Sequence, residues 1–153
     1  MMRRSEKQVT STVELEQILW QGKVCHLAIS DLPAPYLVPL NYGYRNRTLY
    51  FHSALQGHKI ELLKANPLVT FSVVIDQGLI EAEQGCNWGA RFRSVVGNGR
   101  VEFIEDVKEK EEALQVLLAQ YSDKEFELPE NAVKATTVFK LTIEQMVGKQ
   151  SRA

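Results

Sequence analysis

LYFHSALQGHK, Leu49 to Lys59, starts as a strand and ends as a helix, and its reading decides the rest of the chain. Thr48 to Ser53 alternates as a strand does. If Phe51 faces an interior, Tyr50 and His52 take the opposite face. His52 and Ser53 then sit at a strand end, beside a helix expected from about Gly57 to Ala65. Exposed amides at a helix start favour an anion, most often phosphate, and Gly57 lets such a group approach the backbone closely. His58 and Lys59 add positive charge at the same place. The plain alternative is a solvated helix start, with His52 closing a strand.

The chain upstream reads as a capped helix and two strands. Ser11 with Glu14 has the capping-box form, Leu15, Ile18 and Leu19 share a face, and Gly22 can close the helix. Val24 to Ser30 alternates as a strand. Asp31 to Pro35 is a turn, and Tyr36 to Tyr44 a second strand that Pro39 confines to an edge or a bulge. Arg45-Asn46-Arg47 is a hairpin-sized link to Thr48.

Downstream, Asn66-Pro67 stops the helix, and Leu68 to Ile75 is rich in β-branched and aromatic residues, as a buried strand is. Asp76 to Gly89 has no clear period and reads as a long loop. Arg91 to Ile104 is a long β segment in which Gly97 and Gly99 mark a bulge or bend. Asp106 with Glu109 caps a helix running through Tyr121, with Leu114, Leu117, Leu118 and Tyr121 at helical spacing. Thr136 to Ile143 is the last strand, with Phe139, Leu141 and Ile143 on one face. Six strands and three helices, joined locally and without a linker or repeat, predict one domain over 1–153. Its class is mainly β: a small antiparallel barrel with helices packed on it.

Composition narrows the function. The 153 residues are 44% hydrophobic and 24% charged, with a formal net charge of −1, so no basic excess points to nucleic acid. No apolar run approaches the roughly 20 residues that cross a bilayer. The basic N-terminus has no apolar stretch behind it, which leads to the expectation of a cytoplasmic protein. Three histidines and two isolated cysteines offer no structural zinc spacing, so no metal is expected. No P-loop, nucleophile elbow or H-E-x-x-H is present, and Gly97-Asn98-Gly99 lacks the third glycine and the following helix of a dinucleotide fingerprint.

Two further stretches carry usable chemistry. In Pro39 to Tyr44, PLNYGY, the Asn41 carboxamide and the glycine between two tyrosines could meet the edge of a flat heterocycle; taken alone, the stretch reads better as a plain edge strand with aromatic packing. Arg91 and Arg93 lie on one face of a strand, where they could bind an anion, pair with Glu81 or Glu83, or stand in water.

Together these stretches carry more than each alone. V-P-L-N-Y-G-Y, L-Y-F-H-S-A-x-x-G-H-K-I, N-P-x-V-x-F, F-R-S-V-V-G-x-G-R and T-x-V-x-x-L-x-I follow one another in this order. The chain thereby resembles the flavin-binding split-barrel family related to pyridoxamine 5′-phosphate oxidase, and within it the nitroimidazole-resistance (Nim-type) branch. The resemblance implies a six-stranded antiparallel split β-barrel with flanking helices that forms a homodimer, with FMN in clefts at the interface. It implies that Pro39, Leu40 and Asn41 line the isoalloxazine and that His52 and Ser53 lie beside it, His52 near its reactive face. Gly57, His58 and Lys59 would hold the phosphate, and Arg93 and Ser94 would complete the cleft. The arginine-rich signature of true pyridoxamine-phosphate oxidases does not occur here, which argues against vitamin B6 oxidation. Two functions follow. One is an FMN-dependent oxidoreductase acting on a small molecule, with His52 as proton donor or positioning group. The other is a flavin- or haem-binding module without turnover, a sensor or carrier.

Overall fold

The computed structural model describes residues 3–151. Among these, eight strands form one antiparallel sheet: β1 (Gln8–Val9), β2 (Val24–Ile29), β3 (Tyr36–Asn41), β4 (Gly43–Arg45), β5 (Thr48–Ser53), β6 (Leu68–Ile80), β7 (Gly89–Ile104) and β8 (Thr137–Gln150). The order is β3-β2-β6-β7-β8-β5-β4, with β1 on β8, so the sheet wraps as an open, split barrel and leaves β3 as an edge. Four helices flank it: α1 (Thr12–Gln21), α2 (His58–Ala65), α3 (Val107–Ala119) and α4 (Glu130–Lys134).

The six expected strands are present, with differences that have local causes. The second divides at Tyr42, whose ring turns fully into the core, with its hydroxyl donating to the Leu19 carbonyl at 2.6 Å. Pro39 does sit on an edge strand, opposite His26, where its missing N–H costs no ladder bond on the open side. Much of the expected loop over Asp76 to Gly89 is strand instead. β6 continues to Ile80 across a bulge between Asp76 and Leu79, pairing Leu79 with Ala90. The last strand runs on to Gln150 rather than ending at Ile143. An extra residue, Glu144, bulges opposite Asn98–Gly99 and shifts the pattern, so alternation breaks in the sequence while pairing continues.

The bulge is held from outside by Arg47. Its Nε and guanidinium donate to the Ile143 and Glu144 carbonyls, both at 3.0 Å. Arg47 and Asn46 have φ of 59° and 49°, the left-handed pair that a two-residue hairpin loop requires between β4 and β5. One hairpin turn thus fixes both its own strands and the bend in β8.

The core is built from the inward face of the strands and the apolar stripes of α1 and α2. Phe51, Phe71, Phe139, Leu49 and Leu141 are buried with Ile18, Leu19 and Leu63. Phe51 stacks on its cross-strand partner Phe139 with centroids 5.1 Å apart. Each such fully buried side chain contributes roughly 1.5–3 kcal/mol. Ser11 and Asp106 cap α1 and α3 as their sequences predict, accepting from the Glu14 and Glu109 amides.

α3 lies directly on β4 because of one glycine. A Cβ on Gly43 would stand 2.6 Å from the Val116 carbonyl and 2.8 Å from Leu117 Cα, so only hydrogen permits this approach. Two residues just beyond α3 lock the contact. The Gln120 carboxamide donates to the carbonyls of Leu19, Trp20 and Gly22 and accepts from the Tyr44 amide. The Tyr121 hydroxyl accepts from the Tyr42 amide and faces the Lys23 and Tyr42 carbonyls. No described helix is long and apolar enough to cross a membrane.

Candidate functional site

The structure sorts the sequence-predicted residues into three places. The first is a cavity of about 440 Å³ between the β3–β5 end of the sheet and the helices α3 and α4. Asn41 and His52 both line it. Strand alternation puts His52 there: Phe51 is fully buried and His52 is exposed on the opposite face. The imidazole makes no hydrogen bond among the described residues. Asn41 donates to the Lys23 carbonyl at 3.0 Å, which fixes its carboxamide and leaves the oxygen as an acceptor.

The opposite wall is apolar. It consists of Leu114, Leu117 and Leu118 on α3, Leu128 before α4, and Ala132 and Val133 on α4. Among the lining side chains none is lysine, arginine or a carboxylate. Sequence reasoning took the α3 leucines only as a packing stripe and passed over α4 entirely. Its signal was present: Glu130 and Lys134 are four apart and pair at 3.1 Å on the helix surface.

The second place is the start of α2. Gly57 precedes it with φ 147°, a conformation that side chains resist, and open space lies where its Cβ would be. No side chain caps the helix, so its first amides are free to receive an anion. Lys59 stands half-buried in the first turn without an ion-pair partner among the described residues. Burial holds its ammonium below the usual lysine range. His58 is engaged differently: its Nε2 lies 3.0 Å from Asp31 Oδ2, and its ring meets the edge of Tyr36 at 5.1 Å. The hydrogen bond from His58 holds the Asp31 carboxyl below its ordinary range. Ser53 is half-buried at the end of β5, opposite Thr137.

The third place is remote. Arg93 and Ser94 pair with Ile75 and Val74 near the far end of β7. The near end, Ile104, lines a cleft with Leu55 and Ile60 of the α2 region. About ten residues of strand separate the two, roughly 33 Å along β7. A single chain therefore does not bring Arg93 and Ser94 to Lys59. Arg93 reaches Gln21 at 3.4 Å, and Ser94 donates to the Lys149 carbonyl at 3.4 Å. Neither Arg91 nor Arg93 forms an ion pair with Glu81 or Glu83 among the described residues. On β3, Pro39 is exposed while Leu40 turns inward and packs against the core, so the two side chains look opposite ways.

The pyridoxamine 5′-phosphate oxidase family matches residues 11–150. The chain belongs to it. Among solved structures, a candidate 5-nitroimidazole antibiotic resistance protein from Bacteroides thetaiotaomicron is 37% identical, with a TM-score of 0.82, covering 93% of this chain and 85% of that one. A FAD-binding protein from Mesorhizobium loti is 29% identical, with a TM-score of 0.68, covering 94% and 96%. A flavocytochrome from Azotobacter vinelandii shares the fold at 21% identity, with a TM-score of 0.86, covering 100% of this chain and 73% of that one. No curated protein gives a significant match.

Proposed function

We propose that this chain is an FMN-binding flavoprotein that works as a homodimer and acts as an oxidoreductase on a small molecule. The observation that carries the reading is Lys59: a half-buried, desolvated ammonium without a carboxylate partner among the described residues, beside the uncapped start of α2. Such a group gains most from a dianion, which restores its charge balance and receives the free amides. These residues fit a flavin phosphate. Gly57 supplies the close backbone approach, and Ser53 a hydroxyl one strand-end away.

Bound there, the flavin would supply the electron transfer; the chain supplies position, proton and dryness. Asn41 and the backbone of Pro39 to Asn41 would orient the ring edge. His52, without a hydrogen-bond partner among the described residues and exposed to the cavity, would hold or deliver a proton at Nε2 or Nδ1 or position the substrate. A FAD-binding relative at 29% identity supports flavin over haem for this chain. The separation of Arg93 and Ser94 from Lys59 supports the dimer: a second copy could bring its far end of β7 to the first chain's α2.

The test is a purified protein examined by absorbance and size. A flavin spectrum, release of FMN on denaturation, bleaching by a reductant with substrate-dependent reoxidation, and a dimer in solution are expected. A colourless monomer that takes up neither FMN nor riboflavin would end the reading. Flavin that binds but never turns over with any acceptor would leave a carrier.

A further inference from the structure

The geometry points to a second anion site, apart from the start of α2: a small tetrahedral oxyanion, inorganic phosphate or sulfate, held beside the buried ammonium of Lys110. The inference does not rest on the flavin reading. Lys110 is only 9% exposed, and among the described residues no carboxylate pairs with it. Its Nζ donates to the Thr136 carbonyl at 2.8 Å, which ties α3 to the chain just before β8. An ammonium carries three donors, so that bond leaves two without an acceptor among the described residues. The position is unfavourable for a cation on two counts. Burial without a counter-charge is costly, and Lys110, fourth in α3, lies near the positive end of the helix dipole. An anion at the ammonium offsets both.

A place for that anion exists. Lys110 lines a cleft of about 180 Å³ together with Lys64, Phe103, Glu105 and Thr137. This is below the roughly 300 Å³ at which pockets for larger organic ligands begin, and it suits a single small ion. Lys64 supplies a second cation, its Nζ 5.5 Å from the centre of the Phe103 ring and without an ion pair among the described residues. The Thr137 hydroxyl makes no hydrogen bond among the described residues and is a further donor. Glu105 is the one carboxylate of the lining and is exposed, so the cleft is cationic on balance. A tetrahedral oxyanion presents acceptors in several directions, as donors arriving from α2, α3 and β8 require. Lys64 lies in the last turn of α2 and Lys59 in its first, so the two sites belong to different ends of that helix.

The test is equilibrium dialysis of radiolabelled orthophosphate against the protein with FMN in excess, so that the anion cradle at Gly57 and Lys59 is filled. One phosphate per chain is expected, displaced by sulfate. Lys110→Met keeps the apolar stem and removes the charge. It should weaken phosphate about tenfold or more, the loss of one charge-assisted hydrogen bond, with FMN per chain unchanged. Lys64→Glu, an exposed change that spares the core, should weaken phosphate too, and Glu105→Gln should tighten it about two- to fivefold. If Lys110→Met fails to fold, the opposite shifts of these two variants decide. Lys59→Ala should leave phosphate binding as it is. Absence of phosphate uptake, or uptake indifferent to the changes at Lys110 and Lys64, would overturn the proposal. So would loss of FMN in step with phosphate, because the cleft would then seat the flavin's own phosphate. Protein that takes no FMN but binds phosphate with these dependences would sink the flavin reading and leave the Lys110 site standing.

Discussion

His52 and His58 lie six residues apart, yet the fold gives them opposite circumstances. His52 lies one residue before the end of β5 on its outward face, exposed, with no hydrogen bond among the described residues and a largely apolar cavity before it. His58 opens α2 against the Asp31 carboxylate and the Tyr36 ring. Strand alternation produces the first and Gly57 produces the second, because its φ of 147° swings the chain from the strand end to the loop after β2. A shared residue type in one short stretch suggests one shared task. The structure instead puts one in a cavity and the other at a helix start, with the Asp31 carboxylate beside the second.

The separation breaks first at His52. His52→Ala should slow reduction of an acceptor by about 10²-fold or more per bound FMN, the low end of general acid–base contributions, with FMN affinity within a few fold. Turnover divided by bound flavin is the quantity to measure. Loss of flavin in step with activity would place His52 in the cradle after all. Lys59→Ala should do the reverse. Losing a charge-assisted hydrogen bond of roughly 1.5–3 kcal/mol weakens FMN about 10- to 150-fold, while riboflavin, which lacks the phosphate, binds both forms alike. Titration of flavin fluorescence separates the two ligands.

Much of this division was legible in the chain. The β5–α2 junction was readable because strand alternation, Gly57 and a capping-free helix start are local features. The α1 and α3 caps and the edge position of Pro39 were readable for the same reason. What escaped depended on distant partners. The continuation of β8 past Ile143 needs the Glu144 bulge, held by Arg47 from another hairpin. The extension of β6 through Asp76–Leu79 needs β7 opposite it. The engagement of His58 needs Asp31, 27 positions away. Gln120 and Tyr121, which bolt α3 to the end of α1 and the gap between β3 and β4, look like ordinary helix-end residues in sequence. The cavity follows the same rule, since it exists only where α3, the unforeseen α4 and β5 meet.

Gly43 offers a way to disturb one region and spare the other. Gly43→Ala drives a methyl into the Val116 carbonyl and Leu117 Cα, so α3 must lift from β4. Overpacking of this kind costs about 1–3 kcal/mol of stability, measurable by denaturant unfolding. The same movement shifts the leucine wall facing His52 and leaves the start of α2 alone. Turnover with an acceptor should therefore fall while FMN affinity holds. Equal losses of both would mean that the cavity and the cradle move as one body.

The smallest expected effect has the opposite sign, which makes it the sharpest comparison with Lys59. Asp31 places a carboxylate 3.0 Å from His58 Nε2, beside the amides that would receive a phosphate. Removing that charge while keeping the side chain's shape should tighten FMN. For a partly exposed surface pair the gain is modest, about two- to fivefold for Asp31→Asn, and weaker at high salt. Riboflavin should again be indifferent. Acidification does not imitate the substitution, because the His58 hydrogen bond holds the Asp31 carboxyl below 3.8 and it stays ionised through the range where flavin binding is measured. Its contribution to folding is therefore complete above about pH 4 and is lost as pH falls through its lowered value, since only there does the folded state take up the proton. The variant lacks that component, so its acid-unfolding curve should be shallower below pH 4 than the wild type's. If Asp31→Asn instead weakens FMN, the carboxylate is positioning His58 as a phosphate ligand, and the two histidines are less different than their surroundings make them.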